Sequence, residues 1–292
     1  MKKATHCLKP VVRCIVAKYT LGYNCPSVAP ERPGRRPGPS DLLSAIILTL
    51  NEERALPDCL ASLRWADDAL VFDSGSTDRT REIAREHGAR VLQRRFDNYA
   101  AQRNAALAET RADWVLFVDA DERVTPELAR ELREAIRAQR PVGWWLPRHN
   151  FIFGKLTLYA GWYPDYQLRL FRRECGRYDP ERHVHEILQL DGLTGRLRHA
   201  LIHHNYASVT EFVARQRHYA RYAAAVLRNQ GERARMHNFA LQPLRQFFWR
   251  FVALSGWRMG WHGLLLSALM AHSQWALYRE LDALSHDVAA TA

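Results

Sequence analysis

Between Ser44 and Gln139 the chain alternates four times between a short apolar run and a stretch with helical spacing. The runs are Ser44-Ala45-Ile46-Ile47-Leu48-Thr49, Ala69-Leu70-Val71-Phe72, Arg90 to Leu92, and Trp114 to Val118. After the first, Leu56, Leu60 and Leu63 recur at helical intervals within Glu53 to Trp65. Thr77 or Asp78 caps a second helix that Gly88 closes after His87. A third covers Tyr99 to Ala108, and Thr125-Pro126-Glu127 opens a fourth that runs to about Gln139. Strand and helix in strict turn predict an α/β, doubly wound sheet. The crossover rule makes its strands parallel and gathers their carboxyl ends on one edge. Thr49–Glu52, Asp73–Asp78 and Asp119–Asp121 all follow such ends, so these three polar segments are expected to converge.

The last of them carries the most chemistry. If the extended conformation persists through Ala120, strand alternation points Asp119 and Asp121 the same way. Two hard oxygen ligands at the end of an apolar strand suit a divalent cation that also holds phosphate. The competing reading is a polar loop that begins with two acids.

A chain of 292 residues is long enough for one large domain, alone or with an appendage. Its formal charge of +11 points to an anionic partner: a phosphorylated substrate, anionic lipid or nucleic acid. Cys7, Cys14, Cys25, Cys59 and Cys175 show no paired spacing, which favours a reducing, cytoplasmic setting and argues against a cysteine zinc site. No helix-turn-helix, zinc-finger or RNA-binding aromatic signature supports nucleic acid as the partner. No G-x-G-x-x-G follows the first strand, so a nicotinamide-binding domain is excluded as well.

Residues 1–40 are dense in Pro, Gly and Arg towards their end and predict a disordered extension, or else a basic arm that touches membrane. From Val142 to about His204 the texture becomes β-rich and aromatic, and after Ser208 it is helical again. The tail from Pro243 to Leu284 mixes Phe247, Phe248, Trp249, Phe251, Trp257, Trp261 and Trp275 with Arg245, Arg250 and Arg258. Its most apolar stretch, Gly263 to Ala271 with only Ser267 polar, is too short to span a bilayer. An interfacial helix pair with Arg towards lipid phosphate is expected there; helices packed on their own domain are the alternative.

Taken in order, Leu50-Asn51-Glu52, Asp73-Ser74-Gly75-Ser76-Thr77-Asp78, Gln102-Arg103-Asn104 and Asp119-Ala120-Asp121 resemble the motifs of family 2 glycosyltransferases. Within that family they are most similar to the branch that adds glucose to inner-core heptose of lipopolysaccharide. Gln167-Leu168-Arg169-Leu170-Phe171, His183-Val184-His185-Glu186 and the glycines Gly256, Gly260 and Gly263 extend the likeness over roughly residues 42 to 284. The resemblance implies a GT-A fold: a Rossmann-like, mostly parallel sheet flanked by helices, here with a C-terminal helical membrane-associating appendage. It implies a catalytic domain over 42–205, with a donor half 42–140 and an acceptor half 141–205, followed by a helical region 206–286. It also implies a UDP-sugar donor, Mg²⁺ or Mn²⁺, inversion at the anomeric carbon, and a lipopolysaccharide core or other lipid-linked glycan acceptor. The location implied is peripheral, on the anionic inner face of a bacterial cytoplasmic membrane. Carried over residue by residue, Asp73 meets the uracil imide, and Thr49, Asn51 and Glu52 line the nucleoside pocket. Arg103 reaches nucleotide or diphosphate, Asp119 meets ribose or metal-bound water, and Asp121 ligates the metal.

Inversion needs a base on the face opposite the diphosphate. Glu186 is the first nominee, since an adjacent imidazole would orient it, and Asp165 is the second, with Trp162-Tyr163 beside it as a sugar-stacking wall. His185 either reaches the metal or is an ordinary packed histidine. Arg169 and Arg172 meet acceptor phosphate or form a solvated face. Two rivals share parts of this pattern: a polyprenyl-phosphate glycosyltransferase of the same fold, and a non-catalytic basic membrane- or nucleic-acid-binding protein. The second does not account for acidic loops at three strand ends.

Overall fold

Strand β1 (Leu43–Thr49) is buried along almost its whole length, with an apolar centre from Ala45 to Leu48, because both of its faces are covered. Leu43, Ala45 and Ile47 pack with helices α1 (Leu56–Ser62) and α4 (Pro126–Arg137), whereas Ile46 joins Ala100, Ala106 and Leu107 of α3 (Tyr99–Glu109). This is the period-2 alternation of a strand sandwiched between helix layers. The computed structural model describes residues 41–138, 140–179 and 188–289. The chain divides into two compact units; among the described residues one takes 41–149 and 166–203, the other 150–165 and 204–289.

The first unit is built on the sheet order β3-β2-β1-β4-β8-β6-β12-β5. Its strands are β1, β2 (Asp68–Asp73), β3 (Arg90–Gln93), β4 (Trp114–Phe117) and β5 (Glu122–Arg123), with most of β6 (Gly143–Ile152) and β8 (Asp165–Arg172) and the first half of β12 (Leu201–Tyr206). The expected parallel sheet is found over β3-β2-β1-β4. Beyond it the sheet turns antiparallel, with Leu116 opposite Leu170 on β8 and Glu122 opposite His203 on β12. Helix α2 (Thr80–Glu86) ends before Gly88, whose φ of +78° suits a residue without Cβ. Helix α4 starts as its sequence requires: the Thr125 side chain accepts from Leu128 N at 3.2 Å and Pro126 takes the first turn. Its buried Leu128, Leu132, Ala135 and Ile136 follow the helical period, so truncating Leu132 to Ala costs about 2–5 kcal/mol.

The second unit is mostly helical. Helix α5 (Val209–Asn229) opens with an N-cap, Ser208 Oγ accepting from Glu211 N, and the Glu211 carboxylate accepts from the amide of the preceding Ala207 at 2.9 Å. Ala220, Ala223, Ala224 and Leu227 of α5 form one cluster with Leu277, Tyr278 and Leu281 of α7 (Trp261–Ala289). Between α6 (Asn238–Phe248) and α7 the chain passes through a π-helical turn, Trp249–Ala253, and a 3₁₀ turn, Gly256–Met259. A Cβ on Gly263 would lie 1.9 Å from the Gly256 carbonyl oxygen, so the tail glycines let that turn seat directly on α7. Trp162, expected beside a sugar, is instead core: it is 1 % exposed and packs with Tyr206 and Phe212. Its indole is therefore no stacking wall.

Candidate active site

The pleat of β4 decides where the acids go. Trp114, Leu116 and Val118 face the α1/α4 layer, and Val115 and Phe117 face the α3 layer. Asp119 continues the second series and so projects towards α3, where Arg103 Nη2 lies 4.0 Å from its Oδ1. The extended backbone then stops. Glu122 N donates to Asp119 O at 2.9 Å, closing a turn over Ala120 and Asp121. The two aspartates consequently do not share one strand face, contrary to the expectation from alternation, and each has its own partners.

Asp119 is gripped by Arg169 of β8, whose Nη1 donates to Oδ1 at 3.1 Å while Nη2 contacts Oδ2. The same Nη2 donates to Glu122 Oε1 at 3.0 Å, and Arg148 of β6 donates to that oxygen at 3.2 Å. Glu122 Oε2 in turn accepts from Asp119 N at 3.0 Å. Burial alone would raise the Asp119 pKa, but the Arg169 guanidinium, helped by Arg103 and Arg148, holds it well below the usual carboxylate range. Burial works against the charge of Arg169 too, and Asp119 and Glu122 overcome it, pushing its pKa up. Three guanidinium groups thus surround two carboxylates. Beneath them Cys59 is a buried structural thiol; its Sγ contacts Asp119 O at 3.6 Å and burial pushes its pKa up to about 12.

Asp121 meets a different group, with His203 Nε2 3.4 Å from its Oδ2. The β5–β12 register puts His203 there by setting it opposite Glu122. Among the described residues no three or more His, Cys, Asp and Glu side chains gather as a metal cage. A carboxylate and an imidazole on one spot nonetheless fit a cation whose remaining ligands are phosphate oxygens. His185 and Glu186 lie outside the described residues. Asp165 belongs to the second unit, where Asn150 Nδ2 donates to its Oδ2 at 3.2 Å and to Trp162 O at 3.0 Å. Arg169 and Arg172 part company: Arg169 is buried among the acids, and the Arg172 guanidinium lies over the Trp114 ring at 5.0 Å. Arg169 is therefore not part of a solvated face.

The loops after β1 and β2 are stitched to each other. Asn51 N donates to Ser76 Oγ at 2.9 Å, Glu52 N to Thr80 Oγ1 at 2.7 Å, and Glu53 N to Asp78 Oδ2 at 3.1 Å. In return Thr77 N donates to Asn51 Oδ1 at 2.8 Å, with Asn51 in the left-handed region at φ 58°. Asp73 is fully buried and accepts from Thr49 Oγ1, from the Ser76 hydroxyl and from the backbone N–H groups of Gly75 and Ser76. As found, its carboxylate shapes the loop from beneath, and Asn51 and Thr77 are among the exposed polar groups on this edge.

Gln102-Arg103-Asn104 on α3 divides its labour by helical position. Gln102 Nε2 donates to Arg94 O at 3.1 Å and Ser74 Oγ at 3.3 Å, fastening α3 to the β2 and β3 loops. Asn104 Nδ2 donates to Tyr178 O at 2.7 Å and its Oδ1 accepts from Tyr178 N at 2.9 Å, pairing with strand β9 (Gly176–Tyr178) as another strand would. Arg103 lies between them, its guanidinium over Phe117 at 4.8 Å and Tyr178 at 5.6 Å. Of the predicted groups, Arg103 and Asp119 do come together. Glu122, Arg148 and His203 were missed; an acid directly after the aspartate pair was visible, whereas the other two become neighbours only through the antiparallel strands.

The profile of Glycosyl transferase family 2 matches residues 44–185, which takes in the ends of β1, β2 and β4 together with Arg103, Arg148 and Arg169, and stops short of His203. The chain belongs to this family and is a glycosyltransferase. Among characterised relatives it is similar to the lipopolysaccharide core biosynthesis glycosyltransferase LpsC of Rhizobium meliloti (strain 1021), 30% identical over 76% of this chain and 85% of that one. An uncharacterized glycosyltransferase of Rickettsia bellii is 24% identical over 83% of this chain and 87% of its own length. Among solved structures, S. aureus TarS 1-349 gives a TM-score of 0.44 at 17% identity, covering 82% of this chain and 91% of that one. Mycobacterium tuberculosis glucosyl-3-phosphoglycerate synthase, solved with Mn²⁺, UDP and phosphoglyceric acid, gives 0.35 at 22% identity, over 48% and 62%.

Proposed function

We propose that the chain is an inverting glycosyltransferase that moves a hexose, glucose, from a UDP-sugar to an inner-core heptose of lipopolysaccharide or a similar lipid-linked glycan. The observation that carries this reading is the paired arrangement at the end of β4. Asp119 is locked among Arg169, Arg103 and Glu122, while Asp121 stands beside His203. An excess of guanidinium beside one carboxylate suits a diphosphate, and Asp121 with His203 would hold Mg²⁺ or Mn²⁺. When bound, such a cation supplies neutralisation of the charge that develops on the leaving diphosphate. The chain's own groups do the rest. Thr49, Asn51 and Glu52 line the nucleoside side, Asp73 keeps their loop in shape, and Arg103 faces the phosphates. The acceptor hydroxyl oxygen attacks the anomeric carbon as the bond to diphosphate breaks, and its proton passes to a carboxylate, Glu186 or Asp165. A single displacement inverts the centre. Similarity to LpsC supports the choice of acceptor. Work on a lipid-linked acceptor suits a peripheral protein at the inner face of the cytoplasmic membrane, and among the described residues no helix is long and apolar enough to cross one.

The test is to titrate UDP with and without Mn²⁺, then to incubate the chain with a panel of UDP-sugars and truncated lipopolysaccharide cores and weigh the products. Metal-dependent UDP binding and addition of one hexose to a heptose-terminated core are expected. Binding indifferent to the cation, or no mass gain with any core, would overturn the proposal.

A further inference from the structure

Helix α6 is turned inside out. Leu241, Leu244, Phe248 and Val252 follow one another at steps of three and four along α6 and the π turn, and all are more than half exposed. The residues buried on the same stretch are polar: Asn238, Gln246 and Arg250. Arg250 is 1 % exposed, donates from Nη1 to Ala160 O at 2.5 Å and lies over the rings of Trp162 and Trp249. A helix at a water-exposed surface shows the opposite order, apolar side inward. Trp257 of the 3₁₀ turn and Trp261 at the start of α7 add two more exposed rings, Trp261 at 84 %. So large an apolar area has a partner.

Charge identifies it. From residue 233 to residue 279 the chain carries six arginines and no Asp or Glu. Arg245 and Arg258 are exposed among the apolar residues, with the Arg258 guanidinium over Trp257 at 5.5 Å. A second copy of this chain would set arginine against arginine, which repels. An anionic bilayer satisfies both features. Its acyl boundary takes Leu, Phe and Val, its headgroup region takes Trp, and its phosphates take Arg. We infer that α6, the π turn and the start of α7 form a surface that seats this glycosyltransferase on anionic lipid, inserting Leu241, Leu244, Phe248, Val252, Trp257 and Trp261. The inference deepens the peripheral placement proposed above by naming the surface. Vesicle binding needs neither donor nor acceptor, so its failure would leave glycosyl transfer standing, and the converse also holds.

Flotation of the full chain with vesicles decides it. Wild type is expected to float with vesicles of phosphatidylethanolamine and phosphatidylglycerol, weakly with phosphatidylcholine alone, and less at high salt. Leu244→Glu with Phe248→Glu should lower the partition coefficient at least tenfold, because two charges would have to enter the acyl boundary. UDP binding by the double variant serves as the check that it is folded. Brominated acyl chains should quench fluorescence in wild type and less in Trp257→Ser with Trp261→Ser. Equal flotation of the Glu double variant, equal binding to neutral vesicles, or no flotation together with loss of a dimer in the variant would each overturn the inference.

Discussion

Arg169 lies between Asp119 and Glu122 and donates to both, so one guanidinium from β8 fixes the end of β4 and the turn that leads into β5. Planar, forked geometry is what makes the double contact possible. Arg169→Met leaves two acids without their shared counter-charge and is expected to cost about 3–5 kcal/mol in urea unfolding at neutral pH. Arg169→Lys keeps the charge without the fork and should recover only part of that stability. A Lys variant as stable and as active as wild type would show that geometry does not matter here.

For the cation proposed above, the pair to test is Asp121 and His203. Asp121→Asn and His203→Ala should each weaken the Mn²⁺-dependent part of UDP affinity by about 10- to 100-fold while leaving metal-free binding nearly unchanged. Calorimetric titration separates the two components. If both variants keep the full effect of Mn²⁺, the cation is held elsewhere.

The depressed pKa of Asp119 has a definite sign. Its pairing contributes stability above the unfolded value of about 3.9 and loses it as pH falls through the lower folded value. Asp67 and Asp68, lowered mainly by hydrogen bonds from Arg133 and Arg90, add to the same acid limb. Asp119→Asn should therefore flatten the fall in stability below about pH 4 and leave its shape between pH 6 and 8 alone. Urea midpoints across that range measure it, and parallel curves for the two proteins would contradict the assignment.

Asn104→Ala removes both hydrogen bonds that hold β9 to α3. The expected loss is about 1–3 kcal/mol, with faster amide exchange at Tyr178 as its local signature. Unchanged exchange there would mean that β9 is held by other contacts.

The base was proposed to be Glu186 or Asp165, and substitution ranks the two. Glu186→Gln is expected to abolish turnover with UDP affinity intact, and Asp165→Asn to reduce turnover less. Single-turnover rates at matched donor saturation rank them; a reversal of the order would move the base to Asp165, which Asn150 already orients.

The parallel half of the sheet was legible because its strands carry short apolar runs, longest in β1 and β4, that alternate with helical segments. The antiparallel half was not, since Arg148, Arg169 and His203 sit in segments whose pairing depends on register rather than on local pattern. Asp119 and Arg169 are 50 positions apart, and nothing in either neighbourhood announces the other. Alternation predicted a shared direction for Asp119 and Asp121 only if the strand stayed extended through Ala120, and it does not: the Glu122 carboxylate receives the Asp119 amide as the chain turns. Trp162 misled for a related reason: an aromatic pair next to an acid resembles a sugar platform until Tyr206 and Phe212 are seen to cover it.

The stitched loops after β1 and β2 bear on how the enzyme would adapt. Because the amides of Asn51, Glu52 and Glu53 donate to the side chains of Ser76, Thr80 and Asp78, and the Asn51 and Glu53 side chains accept from Thr77 N and Arg79 N, neither loop is free to vary alone. A change of nucleotide preference that begins in one loop would need a compensating replacement in the other, roughly 25 positions downstream. Single-site libraries confined to residues 49–53 should then yield few folded variants with a new donor, and paired libraries many more.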